Sequence, residues 1–131
     1  MDNRMPDRSP SHLADAAKVF AAIDRQDAAA FASLFANNGM FVFGNAAPVI
    51  GPAAIRAAVT AFFAAIRELR HDIIDVWHVG DSVITQLTVL YRRRDGSVVS
   101  LPAATIWRVS DLGITDYRIY ADLAPLVAPS D

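Results

Sequence analysis

The sequence predicts an α+β domain, with N-terminal helices packed on a curved antiparallel sheet. Apolar residues recur at helical spacing in the first half, beginning with Leu13, Ala16, Phe20 and Ile23. From His71 onward the period falls to two, through long stretches rich in Val, Ile, Leu and Thr. Between the two regimes, Phe41-Val42-Phe43-Gly44-Asn45 ends an aromatic strand on a small polar pair. Gly51-Pro52-Ala53-Ala54-Ile55 then opens a helix with Pro in its first turn.

Met1 to Arg8 read as a disordered polar tail, and residues 9–128 as one domain. Ser9-Pro10 is a cap followed by Pro at the first helical position, so one amphipathic helix is expected from there through Ile23. Asp27 caps a shorter helix that buries Phe31, Leu34 and Phe35, and Asn37-Asn38-Gly39 stops it. A strand over Met40 to Asn45 follows. The helix from Pro52 buries Ile55, Val59, Phe62, Ile66 and Leu69, with Arg67 and Arg70 suiting its negative end. Strands are expected at 71–79, 82–93, 97–109 and 114–121, joined at Gly80-Asp81, Asp95-Gly96 and Asp111 to Gly113. Three consecutive hairpins make an antiparallel meander. Pro102 cannot donate to a ladder and so marks a bulge or an edge. Asp122 caps a terminal turn limited by Pro125.

At 131 residues the chain has room for one domain with a core and too little for two. With 53% hydrophobic and 20% charged residues it is globular. The net charge is -2 and no like-charged block exceeds Arg92-Arg93-Arg94, which argues against a nucleic-acid partner. Without Cys there is no disulfide and no thiolate nucleophile. His12, His71 and His78 stand at no ligand spacing, so neither a metal nor another cofactor is expected. No apolar run reaches the ~18 residues of a membrane span. The first ten residues lack a signal-peptide core, so a cytoplasmic location is expected.

The stretch 82–93 is largely apolar on both sides: Ile84 and Leu90 flank Gln86 and Thr88 on one, and Val83, Thr85, Leu87, Val89 and Tyr91 lie on the other. An antiparallel sheet with one wet face would alternate apolar and polar residues. Three short helices cover one face, so the other is expected to pair with a second copy. The outer face of this homodimer is taken to be that of Leu87 and Val89.

The element order, together with Phe43-Gly44-Asn45, Gly51-Pro52-Ala53-Ala54-Ile55 and the ending Ile114-Thr115-Asp116-Tyr117-Arg118-Ile119-Tyr120-Ala121-Asp122-Leu123, resembles the SnoaL-like branch of the NTF2-like superfamily. The resemblance runs from about Leu13 to Leu126. It implies a cone: a strongly bent antiparallel sheet around a long helix, with a deep internal pocket. Ketosteroid isomerases, polyketide cyclases and limonene-epoxide hydrolases belong to that superfamily. The epoxide hydrolases' Arg, Asp and final-strand Asp fall on Gln86, Thr88 and Ile119 here, and their Tyr-x-Asn pair on Phe43 and Asn45. The isomerases' base, acid and donor Tyr fall near Phe43, Thr105 and Val19. None of these positions holds a carboxylate, the group that takes the proton in those sites.

In that cone the pocket is expected to be lined by Phe43, Asn45, Gln86, Thr88, Thr105, Trp107, Tyr117 and Ile119, an apolar wall with neutral polar groups. Trp107 is open to a core or interface role as well. His78 is the candidate general base, because imidazole exchanges protons near neutral pH. Its alternative is a structural hydrogen bond at its strand end. His12 and His71 read as surface residues at a helix start and a strand start. Asp75 points away from the cavity unless a bulge intervenes. Three functions remain open: an isomerase, cyclase or hydratase acting by proton transfer on a polyketide, terpenoid or steroid-like ketone; a binder of such a molecule; and a dimeric interaction module.

Overall fold

The computed structural model describes residues 8–129. The expected tail lies outside the described residues except for Arg8, whose guanidinium donates to the Phe35 and Leu112 carbonyls and so belongs to the fold.

The first helical stretch is two helices. α1 spans Pro10–Leu13 and is capped by the Ser9 hydroxyl; α2 spans Ala16–Asp24 and is capped by Asp15. Asp15 competes for the Lys18 N–H and so starts a new helix where apolar spacing alone reads one. α3, Ala28–Ala32, begins as expected at Asp27, whose carboxylate accepts from the Ala30 N–H at 2.9 Å. Asn37-Asn38-Gly39 does not end that helix. It is an irregular stretch inside strand β1, Phe35–Phe43. After the two-residue strand β2, Val49–Ile50, helix α4 runs over Pro52–Ala64.

α4 ends at Ala64, short of the Leu69 that its apolar spacing suggests. Ile66 and Leu69 are buried, but as part of strand β3, Ile66–Val79. The Arg94 side chain meets the last helical carbonyl, Ala64 O, at 2.5 and 2.8 Å. Strands β4 (Ser82–Arg93), β5 (Val98–Ser110) and β6 (Gly113–Tyr120) complete the meander. Asp122 caps the turn into α5, Ala124–Val127, by accepting from the Ala124 N–H at 3.0 Å.

The six strands form one sheet in the order β2-β1-β6-β5-β4-β3. It is mixed rather than wholly antiparallel, because β1 runs parallel to β6. β6 ends opposite Ala104, so β5 around Pro102 has β4 as its only neighbour among the described residues, the edge setting that a residue without an N–H tolerates. β3 carries a bulge at Ile74, between the pairs Ile73–Leu87 and Asp75–Gln86. The helices cover the concave face, and the core holds Phe20, Phe31, Phe35, Ile55, Leu87, Trp107, Ile114 and Tyr117.

Strand phase departs from expectation on β4. Thr85 pairs with Thr105, Leu87 with Ala103 and Val89 with Leu101, so Val83, Thr85, Leu87, Val89 and Tyr91 all face inward. Gln86 and Thr88 lie on the convex face opposite Ala104 and Pro102. The expected dimer face of Leu87 and Val89 is therefore core. The cause is the hairpin: Arg93 bonds Ser97 across a three-residue loop, Arg94-Asp95-Gly96, with Gly96 at φ +89°. A two-residue Asp-Gly turn would shift the pairing by one and turn every β4 side chain over.

Gly113 seats β6 against the start of β1. Its φ is +115°, and a Cβ there would stand 2.8 Å from both Ala36 N and Leu34 O. Ile114 N donates to that same Leu34 carbonyl at 2.8 Å. Gly113→Ala is expected to lower unfolding free energy by about 2–4 kcal/mol, combining backbone strain with displaced strand contacts. Urea denaturation measures it, and a loss below about 0.5 kcal/mol would contradict this geometry.

Candidate functional site

A cavity of about 160 Å³ lies between the concave face of the sheet and α2, α3 and α4. β1 supplies Phe41 and Phe43, α3 supplies Phe31, and α4 supplies Val59, Phe62 and Phe63. Ala46, Ala47 and Val49, in and after the turn that follows β1, form part of its wall. The polar side chains on its wall are His71, Tyr91 and Thr105, and no carboxylate is among its lining residues.

The imidazole on this wall is that of His71. Starting β3 at Ile66 puts Leu69 and His71 on the inner side, with Leu69 opposite Tyr91 and His71 opposite Val89. The imidazole stacks on Phe20 at a centroid distance of 4.4 Å and an interplanar angle of 10°. Its Nδ1 lies 2.5 Å from Asp24 Oδ1 at the end of α2, while Asp24 Oδ2 accepts from the His71 backbone N–H at 3.2 Å. The His71 side chain is 9% exposed and that of Asp24 28%. A carboxylate on Nδ1 fixes the tautomer with the proton there, leaving Nε2 as the basic nitrogen. Nε2 has no partner among the described residues.

Thr105, expected in the pocket, is there, its hydroxyl shared with Thr85 in a buried pair. Phe43 and Ile119 also line the cavity. Trp107 and Tyr117 point inward but lie in the core behind it. The Trp107 indole donates to Leu13 O at 2.8 Å and stacks on Tyr117 at 5.2 Å. The Tyr117 hydroxyl is fully buried and has no partner among the described residues. Burial pushes its ionisation far up, and Tyr91 and Asp24 add to the shift.

The other expected positions lie elsewhere. Gln86 and Thr88 are on the convex face, turned there by the three-residue hairpin loop. Asn45 is exposed in the turn after β1, beside an outer hollow that also touches Asp122. His78 is not at the cavity: its Nε2 meets the Ala14 carbonyl at 2.9 Å beside α1, the structural alternative open from the sequence. The bulge at Ile74 keeps Val76 and His78 on the inner side of β3, and Asp75 faces outward opposite Gln86. Reading His71 as a surface residue is the larger error, since it and Asp24 are the pair that reasoning from sequence missed. Their signal was available as an inward period of two from Leu69 to His71.

Residues 16–117 match the family model of the SnoaL-like domain. The chain belongs to the SnoaL-like family. Solved structures agree on the fold of this SnoaL-like domain. A protein of ketosteroid isomerase-like fold from Catenulispora acidiphila, in complex with trimethylamine, is 22% identical with a TM-score of 0.75, over 92% of this chain and 89% of that one. An NTF2-like protein of unknown function from Burkholderia pseudomallei is 14% identical at TM-score 0.80, over 91% and 95%. An LEH-like epoxide hydrolase from M. tuberculosis is 16% identical at 0.72, over 86% and 84%. At these identities the likeness is one of fold. No curated protein matches the sequence. No helix among the described residues is long and apolar enough to cross a membrane.

Burial pushes the Tyr91 phenol up to about 12 from its ordinary 10.0. The folded state thus favours the neutral phenol. That stabilisation is complete below about pH 10 and is lost as pH rises toward about 12, because the unfolded chain ionises first. Between those limits the melting temperature of Tyr91→Phe is expected to fall less steeply than that of the unmodified protein. Parallel slopes in thermal melts would show that Tyr91 is not shielded.

Proposed function

We propose that this SnoaL-like domain binds a small, largely apolar molecule in the inner cavity and moves a proton on it, in an isomerisation, cyclisation or hydration. The observation that supports this most is the Asp24–His71 pair, whose imidazole lies on the wall of a largely apolar cavity. In the step we propose, His71 Nε2 removes a proton from a carbon next to a carbonyl. The C–H electron pair moves into the carbonyl, and the charge develops on its oxygen. Tyr91 and Thr105 are the wall's hydroxyl donors for that oxygen. Asp24 stabilises the imidazolium that forms, and the apolar surroundings strengthen that interaction. The family's usual carboxylate positions are uncharged here, so the base comes from β3 instead.

Exchange of α-protons for deuterium, followed by NMR in D2O on a panel of small cyclic and aryl ketones, tests this without knowledge of the natural substrate. The intact protein is expected to accelerate exchange for at least one ketone. His71→Gln should lower that rate by about 10²–10⁴ and Asp24→Asn by a smaller factor, with ligand binding retained in both. Binding without any acceleration would leave the domain a carrier or sensor of the same molecule, not an enzyme.

The convex face is the surface we propose for a second copy. Trp77, Ile84 and Ile106 form one apolar row across β3, β4 and β5, and Ile74 and Tyr120 are also exposed there. Sedimentation should give a dimer at micromolar concentration that Ile106→Glu dissociates; a monomer at that concentration would dispose of the pairing.

A further inference from the structure

We propose that Phe43 and Phe62 form a two-ring gate that restricts the inner cavity to compact, single-ring apolar molecules and shuts out fused polycycles. This rests on the small-molecule pocket proposed above and names its substrate class.

The two rings meet at a centroid distance of 4.9 Å. Each has the inner cavity on one side and a larger outer hollow on the other. Phe62 walls both the inner cavity and a hollow of about 400 Å³ reaching Arg93 and Leu126. Phe43 walls both the inner cavity and a second hollow of about 690 Å³ reaching Asp122 and Leu123. These two side chains are thus shared between the cavity of about 160 Å³ and the hollows outside it. A dry cavity of about 150 Å³ holds a benzene ring, whereas sites for drug-sized ligands run from about 300 to 1,000 Å³.

The opposite wall cannot yield the missing volume. Phe31 is edge-on to Phe41 at 5.8 Å and to Tyr117 at 5.3 Å, and all three are buried. Phe62, by contrast, is half-buried near the end of α4, edge-on to Tyr91 at 6.0 Å. It is the ring whose loss would join the inner cavity to an outer hollow. The steroid-sized ketone considered from sequence therefore exceeds the space, while a single-ring ketone fits beside His71.

Saturation-transfer NMR with acetophenone, 2-acetonaphthalene and progesterone tests the gate on the intact chain, Phe62→Ala and Phe62→Leu. Circular dichroism shows which variants are folded, and Phe62→Leu serves if the alanine variant is not. The intact protein should bind acetophenone at least about tenfold more tightly than 2-acetonaphthalene, since overfilling a packed site is costly, and should not bind progesterone. In the folded variants that preference should vanish or invert. Equal or tighter binding of the two-ring ketone by the intact protein, or an unchanged preference in the variants, overturns the gate and leaves the pocket standing. No saturation from any of the three ketones in any of the proteins overturns the pocket and the gate together. None of these outcomes depends on turnover, so the gate stands or falls separately from exchange activity in the His71 variant.

Discussion

The loop Arg94-Asp95-Gly96 decides which side chains this domain keeps to itself. Three residues, with Gly96 in a left-handed conformation, pair odd positions of β4 with odd positions of β5. Val89, Tyr91, Ala103 and Thr105 then meet on the concave face and form the cavity wall. With one residue fewer, Ile84, Gln86, Thr88 and Leu90 would replace the β4 residues of that wall, and Val83, Leu87, Val89 and Tyr91 would turn outward. The Ile74 bulge does the same work at the other end of β3, letting His71 and His78 share one face although an odd number of positions separates them. Pocket, core and convex face are all consequences of these two irregularities.

Much of the fold was legible in the sequence because its punctuation is local. Asp27, Pro52 and Asp122 start their elements where the residue types say they should. β4 begins and ends at the expected residues. What was not legible depends on distant partners. Nothing between Ala64 and Arg70 breaks a helix, since Ala, Leu, Glu and Arg all favour one. The segment becomes strand because β4 offers it a ladder from Arg93 to Ser82. That override brings His71 inward and creates the dyad with Asp24, so the misplaced helix end and the missed site are one error. The parallel β1–β6 pairing was hidden for a similar reason, because its partners are separated by most of the chain.

The cavity wall is largely apolar, and its polar side chains are few. Phe43, Thr105 and Ile119, positions for which the family resemblance implied carboxylates, line the cavity here with uncharged side chains. The titratable pair sits across the cavity instead. Asp24 uses one oxygen for the imidazole and the other for the backbone of the same residue, which fixes ring and strand edge together. In the proposed reaction a base so held would lose little freedom, which is the usual requirement for positioned proton transfer. The phenylalanines of the cavity wall leave little room, so the cavity's shape and the position of its imidazole are set by different elements.

The partnership of Phe35 with Ile114 joins the first strand to the last. During synthesis, α2, α3 and β1 leave the ribosome with their aromatic sides bare, and the strand that completes them emerges only after α4, β3, β4 and β5. The helices cannot settle early and wait. Closure is a late, long-range event, of the kind that slows folding and lengthens exposure of sticky surface. A nascent chain of this design depends on the speed with which β6 arrives.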